Sequence, residues 1–185
     1  MLWRPDILGE RLSSWIGNYD FFGGSADDEF RARLCQSIGR QYRHLAGDIE
    51  ASAPGIRRLL AAKGLFAAMA VIGENTGKFT EALHWLHREL GRQVFADGGH
   101  VSRSPAVQVT VLADLVEIRK ALRLAEHDDA ALGERISIMT SMLRLLRHGD
   151  GGLALFNHST EGEVWFINSL IAQAEAKRKS SSSAP

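Results

Sequence analysis

Apolar side chains recur at intervals of three and four residues along most of the chain, which places them on one face of an α-helix. In one stretch, Phe30, Leu34, Ile38, Tyr42 and Leu45 follow this spacing. No segment alternates apolar and polar residues as a strand does. The sequence therefore predicts an all-α fold, with helices at about 5–19, 27–45, 54–72, 78–95, 105–125, 130–147 and 161–176.

Three of these helices carry further signals. The third is apolar on nearly all sides after Arg58, a pattern typical of a helix in the interior of a bundle. The fifth starts with Ser104 and Pro105, a favourable cap and first residue, and its length outweighs the β-branched residues that would suit a strand. Thr160 and Glu163 have the spacing of a capping box before the last helix.

Composition narrows the class of protein. The 185 residues are 45% hydrophobic, enough for the core of one domain. Lys+Arg and Asp+Glu are 22 each, so the basic excess typical of a nucleic-acid-binding protein is missing. Cys35 is the one cysteine, which excludes an internal disulfide and a zinc site built on several cysteines. We expect neither a metal nor a cofactor.

The chain is predicted to form one helical domain over residues 1–176, followed by a disordered tail at 177–185 (KRKSSSSAP). No clear repeat is visible in the sequence, which argues against a solenoid-type interaction module. No apolar run reaches the roughly 20 residues of a membrane span. No targeting segment is recognised either, which favours a cytoplasmic location.

Two loops concentrate the candidate chemistry. If consecutive helices run up and down, the loops at 96–103 and 149–159 lie at the same end of the bundle. Both contain the tripeptide Asp-Gly-Gly, and His100, His148 and His158 lie in or beside them. Polar groups that converge on one rim of a helical scaffold indicate a ligand site.

Each loop has a functional and a purely structural interpretation. In the first, His100 would act as an acid or base and Arg103 would bind a carboxylate. In the second, Asn157 and His158 would be presented next to the first loop. The alternative is that both loops are glycine turns, with a packed histidine and a surface arginine in the first and a core anchor in the second.

Two other motifs are set aside. The segment 73–78 (GENTGK) has the wrong glycine spacing for a phosphate loop and no preceding strand, so it is interpreted as a helix–helix turn. His84 and His87 have a spacing that can bind metal, but no helical carboxylate accompanies them in the usual pattern, so we interpret them as surface residues.

Three motifs in order resemble the heparinase II/III-type polysaccharide lyases. They are 62–68 (AKGLFAA), 96–108 (ADGGHVSRSPAVQ) and 147–157 (RHGDGGLALFN). Together they place the resemblance over about residues 54–158. The resemblance implies antiparallel helical hairpins that form an incomplete α/α toroid, followed in such lyases by a β-sandwich. It also implies β-elimination on uronic-acid-containing polysaccharides, an acidic polysaccharide partner and often a periplasmic location.

The chain departs from that family at the catalytic positions. It has Ile56 and Arg57 where the family has Asn-His, and Val107 and Gln108 where the family has Tyr-His. The resemblance therefore implies a truncated, weakly active or inactive lyase. His100 is the remaining catalytic candidate, and the candidate substrate-binding residues are Arg103, Ser104, Asn157 and His158.

A second hypothesis from another class is a non-catalytic domain, which would bind acidic glycans or serve as a helical scaffold for interactions. The absent catalytic groups favour it. In either case, a row of hairpins that stops short of a closed ring would leave an exposed apolar edge, through which the chain would associate with a partner.

Overall fold

The computed structural model describes residues 3–51 and 54–176, and within them every regular element is helical. This confirms the all-α prediction, whereas the predicted tail at 177–185 lies outside the described residues. No described helix is long and apolar enough to cross a membrane. The α-helices are α1 (Pro5–Gly17), α2 (Tyr19–Gly23), α3 (Asp28–Asp48), α4 (Ile56–Ile72), α5 (Thr76–Gln93), α6 (Pro105–Leu124), α7 (Ala130–Leu145) and α8 (Val164–Glu175), with a short 3-10 helix at Ile49–Ala51.

The start of the last helix differs from the predicted one, because the predicted capping residues do not cap it. The last helix starts at Val164 rather than near 161, and its cap residue is Glu163, which forms no side-chain capping bond. Thr160 therefore does not cap it, and the predicted capping box is wrong. Ser104 does precede α6, but its side chain forms no capping bond either.

Helix α4 is the centre of the N-terminal half, as its apolar pattern predicts, and it packs against α1, α3, α5 and α6. Its closest neighbour is α1. A Cβ on Gly9 of α1 would collide with the backbone of Leu60 and Ala61, and a Cβ on Gly64 of α4 would collide with the backbone of Gly9. Glycine on both helices is what lets the two backbones touch.

Helix α6 is the centre of the C-terminal half, where it packs against α4, α7 and α8. Its side chains are buried on opposite faces, so it lies between neighbours. Helix α8 instead buries a single stripe, formed by Ile167, Leu170, Ile171 and Ala174. Helix α6 is therefore interior, whereas α8 lies at an edge.

The turns after α5 and α7 show that the C-terminal half contains a structural repeat. An isolated antiparallel bridge joins Val94 to His100, and the same bridge joins Arg147 to Leu153, 53 positions later. The backbone hydrogen bonds of the two turns correspond at the same offset. The helix–turn–helix unit α5–α6 thus recurs as α7–α8, although the sequence shows no clear repeat.

Candidate functional site

The first candidate loop is a tight hairpin that reverses the chain between α5 and α6. The Asp97 carboxylate accepts a hydrogen bond from the Gly99 N–H at 2.8 Å, which closes the turn. Gly98 has φ +83°, and a Cβ there would meet the backbone carbonyl of Ile138. Glycine is needed at this position both for its backbone angle and for the contact with α7.

His100 lies inside this loop, and only 4% of it is exposed. Its backbone N–H donates to the Gln108 Oε1 at 2.9 Å, its Nδ1 accepts from the Ser102 N–H at 3.1 Å, and its Nε2 lies 3.3 Å from the Gln93 Oε1. Burial lowers the pKa of the imidazole, so the neutral form is favoured. Both ring nitrogens are engaged within the protein, and the catalytic assignment of His100 stays a prediction.

Behind His100 lies a polar network that the sequence did not reveal. Gln93 donates from its Nε2 to the Glu89 Oε1 at 2.7 Å, and Arg58 donates to the Glu89 Oε2 at 3.0 Å. Burial of Glu89 opposes its ionisation, yet the hydrogen bonds from Gln93 and Arg58 keep its pKa below the usual value. The network joins α4 and α5 to the loop, and the available signal was the pair Glu89 and Gln93, two polar residues four positions apart on the buried face of α5.

Gln108 is the second residue whose role depends on the fold. It is 1% exposed, and its Nε2 donates to the Gly98 carbonyl at 2.8 Å and to the Met139 carbonyl at 3.0 Å. Its Oε1 accepts the His100 N–H. One amide thus satisfies three backbone groups, and it connects the loop with α7.

Arg103 lies on the outer side of the loop. Its guanidinium forms a 2.8 Å ion pair with Asp97 and lies 4.4 Å from the centre of the Phe95 ring. Of the two adjacent candidate binding residues, Arg103 has about half of its side chain exposed, whereas Ser104 is 4% exposed. The ion pair holds the pKa of the Asp97 carboxyl below its usual range.

The structure brings the second loop against the first. Asn157 donates from its Nδ2 to the Arg103 carbonyl at 3.0 Å, and the Ser159 hydroxyl accepts the Ala106 N–H at 2.8 Å. A shallow depression of about 570 Å³ lies here, and Asn157 and His158 line it together with residues of the first loop. The assignment of Arg103, Ser104, Asn157 and His158 to ligand binding stays a prediction.

A larger groove lies elsewhere, between α3 and α5, with α4 beneath it. Its volume is about 770 Å³. Its floor is lined by Tyr42, Leu65, Met69 and Trp85, each less than 10% exposed, and charged residues of α5 lie at its rim. Tyr42 donates to Glu74 at 2.9 Å, which ties α3 to the turn before α5. The groove thus has fixed walls and an apolar floor.

The segment 73–78 and the pair His84 and His87 show no sign of a phosphate or metal site. Gly73 ends α4 with a left-handed conformation, and Asn75 caps α5 by accepting the Lys78 N–H, so the segment 73–78 is a helix–helix turn. His87 contacts Asp129 at 3.1 Å, while His84 lies at the groove rim. Within residues 3–51 and 54–176, no three metal-binding side chains come together.

The chain is similar to FtsZ-localized protein C of Caulobacter vibrioides. The two are 29% identical over 184 residues, which is 99% of this chain and 32% of the relative. The chain thus spans about a third of that relative's length. No protein-family profile and no solved structure matches the chain.

This similarity corrects the family resemblance and what it implied. The prediction of a heparinase II/III-type polysaccharide lyase is wrong, and so are the predicted β-elimination and the acidic polysaccharide partner, because the relative that matches nearly the whole chain is an FtsZ-localized protein. The structure supplies the physical reason. Asp-Gly-Gly occurs twice in this chain as the same turn, with glycine at a positive φ in each, so the motif reports a backbone shape.

Proposed function

We propose that this chain is a non-catalytic helical interaction domain that takes part in FtsZ-containing assemblies through protein contacts. The observation that carries the proposal is the similarity to FtsZ-localized protein C along nearly the whole chain. The match covers about a third of that relative. We assign association with FtsZ to this shared third.

The groove between α3 and α5 supports an interaction role and is the surface we assign to the protein partner. Its occupant is an amphipathic helix of the partner, because a groove between two helices with an apolar floor accepts the apolar face of a third. The rim carries both charge signs, with Arg88 3.7 Å from Glu50 across one end and Lys78 2.9 Å from Glu74. Apolar contacts with the floor and ion pairs with this rim would both contribute to binding.

We also propose that residues 1–176 form one domain, in which antiparallel hairpins build an incomplete α/α toroid. The contacts of α4 with α6 and of α6 with α8 support a continuous inner row of helices. The 53-residue offset between the two Asp-Gly-Gly turns supports a regular stacking of hairpins. Small-angle X-ray scattering tests this arrangement, since a curved two-layer array and a closed bundle of equal mass differ in radius of gyration.

Sedimentation with FtsZ polymers tests the function. FtsZ of Caulobacter vibrioides is polymerised with GTP and pelleted with the chain, and the chain is expected in the pellet only when polymers form. The double variant Ala46→Arg, Thr80→Arg places two long cations at the groove rim and is expected to raise the Kd for the polymers at least about tenfold, which corresponds to roughly 1.4 kcal/mol.

The matched control is the double variant Ala131→Arg, Ser141→Arg, which adds the same two cations at exposed positions of α7 away from the groove. Circular dichroism confirms that all three proteins are folded. A wild-type chain that stays in the supernatant with polymerised FtsZ would overturn the FtsZ association. Pelleting that is equal for the wild type and the groove variant would overturn the groove as the contact surface.

A further inference from the structure

The N-terminus of α6 is incompletely capped where it meets the depression between the two loops. A helix leaves its first N–H groups without partners inside the helix, and the residue before it normally accepts from one of them. Ser104 occupies that position, yet its side chain forms no capping bond. Pro105 has no N–H, and Ala106 donates to the Ser159 hydroxyl at 2.8 Å. The Val107 N–H is therefore left without a partner among the described residues.

The Ser104 hydroxyl is a second unused donor. Ser104 is 4% exposed, and its backbone N–H donates to the Ser102 hydroxyl at 3.3 Å. Its own hydroxyl has no hydrogen-bond partner within residues 3–51 and 54–176, although buried polar groups generally have one. Ser104 and Val107 both line the depression. The two groups that would satisfy each other in an ordinary helix cap are thus both available to a ligand bound there.

The second loop supplies the opposite wall of the depression in an unusual backbone conformation. Asn157 and His158 have φ +48° and +61°, and Arg103 on the first loop has φ +51°. All three line the depression, and in the described part of the chain one other non-glycine residue, Glu126, has a positive φ. Strained backbone of this kind concentrates at ligand sites. The exposed His158 imidazole forms no hydrogen bond with a described residue, so it is a third available donor.

The charges around the depression favour an anion. The positive end of the dipole of α6, a helix of 20 residues, lies here. None of the described residues that line the depression is acidic. The Asp97 carboxylate of the first loop is already engaged by the Arg103 guanidinium and the Gly99 N–H, both at 2.8 Å. Free N–H groups at a helix N-terminus are a common binding site for phosphate groups.

We propose that the depression binds a phosphate monoester at the N-terminus of α6. The Ser104 hydroxyl and the Val107 N–H donate to oxygens of the phosphate group, and His158 donates from the second loop. A phosphate group offers three acceptor oxygens to these three donors, whereas a carboxylate offers two. The depression, with a volume of about 570 Å³, is larger than one phosphate group, so it also holds the group that carries the phosphate.

An NMR titration of the isotope-labelled whole chain tests the site. O-phospho-L-serine, inorganic phosphate and acetate are added separately to about 50 mM at constant ionic strength, a range that covers a millimolar Kd. The Val107 amide resonance is expected to shift and saturate with both phosphates, at the lowest concentration with O-phospho-L-serine. The internal control is the Lys78 amide at the N-terminus of α5, which already donates to the Asn75 side chain and should not shift.

A matched pair of variants tests the role of the hydroxyl. Ser104→Ala is expected to raise the Kd for O-phospho-L-serine at least about fivefold, because a hydrogen bond to a charged group is lost. Ser141→Ala, which removes an exposed hydroxyl on α7, should bind as the wild type does. The spectrum of each variant also shows whether it is folded.

Three results would contradict the proposal. A Val107 amide that does not shift with either phosphate, or a Lys78 amide that shifts equally, would exclude the site. Binding of acetate as tight as that of the phosphates would exclude the preference for phosphate. An unchanged Kd in Ser104→Ala would exclude Ser104 as a ligand-binding residue. Because FtsZ is absent from these measurements, their outcome is independent of the association with FtsZ.

Discussion

The two Asp-Gly-Gly turns share one pattern of backbone hydrogen bonds, but the first buries a polar side chain and the second buries an apolar one. In both, the aspartate accepts the N–H of the second glycine, at 2.8 Å in the first turn and 2.9 Å in the second. The residue that follows is His100 in the first turn and Leu153 in the second, and both are buried. One backbone solution thus holds a hydrogen-bonded imidazole at one site and an apolar anchor at the other.

The group that accepts the backbone N–H of His100 or Leu153 also differs between the two turns. The His100 N–H donates to the Gln108 side chain at 2.9 Å, whereas the Leu153 N–H donates to the backbone carbonyl of Glu161 at 3.4 Å. Gln108 and Glu161 are themselves 53 positions apart. The first turn therefore depends on particular side chains, and the second depends on the course of the backbone. Substitutions at equivalent positions should separate the two cases.

The largest difference is expected at the first glycine of each tripeptide. A Cβ on Gly98 would strike the Ile138 backbone, whereas a Cβ on Gly151 would meet the movable Arg147 guanidinium and Val164. Both glycines have a positive φ, so either substitution carries strain of about 1–2 kcal/mol. Gly98→Ala adds a collision and should cost about 4 kcal/mol in total, since overpacking adds roughly 1–3 kcal/mol. Urea unfolding followed by circular dichroism measures both, and equal losses would contradict the comparison.

The next difference is expected at the Gln108 and Glu161 pair. Gln108→Ala leaves the His100 N–H and the carbonyls of Gly98 and Met139 without their buried partner. The expected cost is about 2 kcal/mol, within the range for a buried unsatisfied group. Glu161→Ala should change the free energy of unfolding by less than about 0.5 kcal/mol, because its backbone carbonyl is unchanged and its side chain is exposed. A comparable loss in both variants would show that side chains support both turns.

A smaller difference is expected in the dependence on pH. Burial lowers the pKa of His100 in the folded chain, so the unfolded chain takes up this proton first as the pH falls. The corresponding stability is present above about pH 6.5, the usual histidine pKa, and is lost as the pH falls below it. His100→Leu copies the second turn and should lose less free energy of unfolding between pH 7.5 and 5.5 than the wild type does.

The control for that measurement is His148→Gln, which removes an exposed histidine of the second turn. Its free energy of unfolding at pH 7.5 should differ from that of the wild type by less than about 0.5 kcal/mol, as expected for an exposed substitution. A pH dependence that is unchanged in His100→Leu would show that the buried imidazole does not contribute to acid sensitivity.

The smallest effect is expected from the ion pair on the outer side of the first turn. Arg103 and Asp97 are both about half exposed, so water and salt screen their attraction. Arg103→Ala should lower the midpoint of thermal unfolding by less than about 2 °C, measured by circular dichroism. A larger loss would mean that the guanidinium stabilises the turn through its contact with Phe95.

The helices were predictable, because helical periodicity is a local property of the sequence. The third predicted helix is apolar on nearly all sides and is the buried α4. Capping was less predictable, since Thr160 and Glu163 have the right spacing while α8 starts after both. The short α2 and the 3-10 helix at Ile49–Ala51 carry no long pattern and were not predicted.

The sequence predicted that polar side chains gather in the two loops. It did not predict which hydrogen bonds those side chains form. The position of Asn157 beside Arg103 follows from helices that run up and down. The engagement of both His100 nitrogens does not, because Gln93 belongs to α5 and its side chain comes close to His100 only through the fold of the turn. The motifs that resembled a lyase occupy a helix and two turns, where backbone geometry accounts for their glycines.

The sequence by itself determined the helical class, the approximate helices and the glycine turns, because these depend on residues close together in the chain. Only the tertiary structure decided that the two turns repeat, that His100 and Leu153 occupy equivalent buried positions, and that α8 exposes the face that α6 buries. Those features depend on which helices become neighbours. The packing of distant side chains selects these neighbours, so the local pattern of apolar residues leaves the choice open.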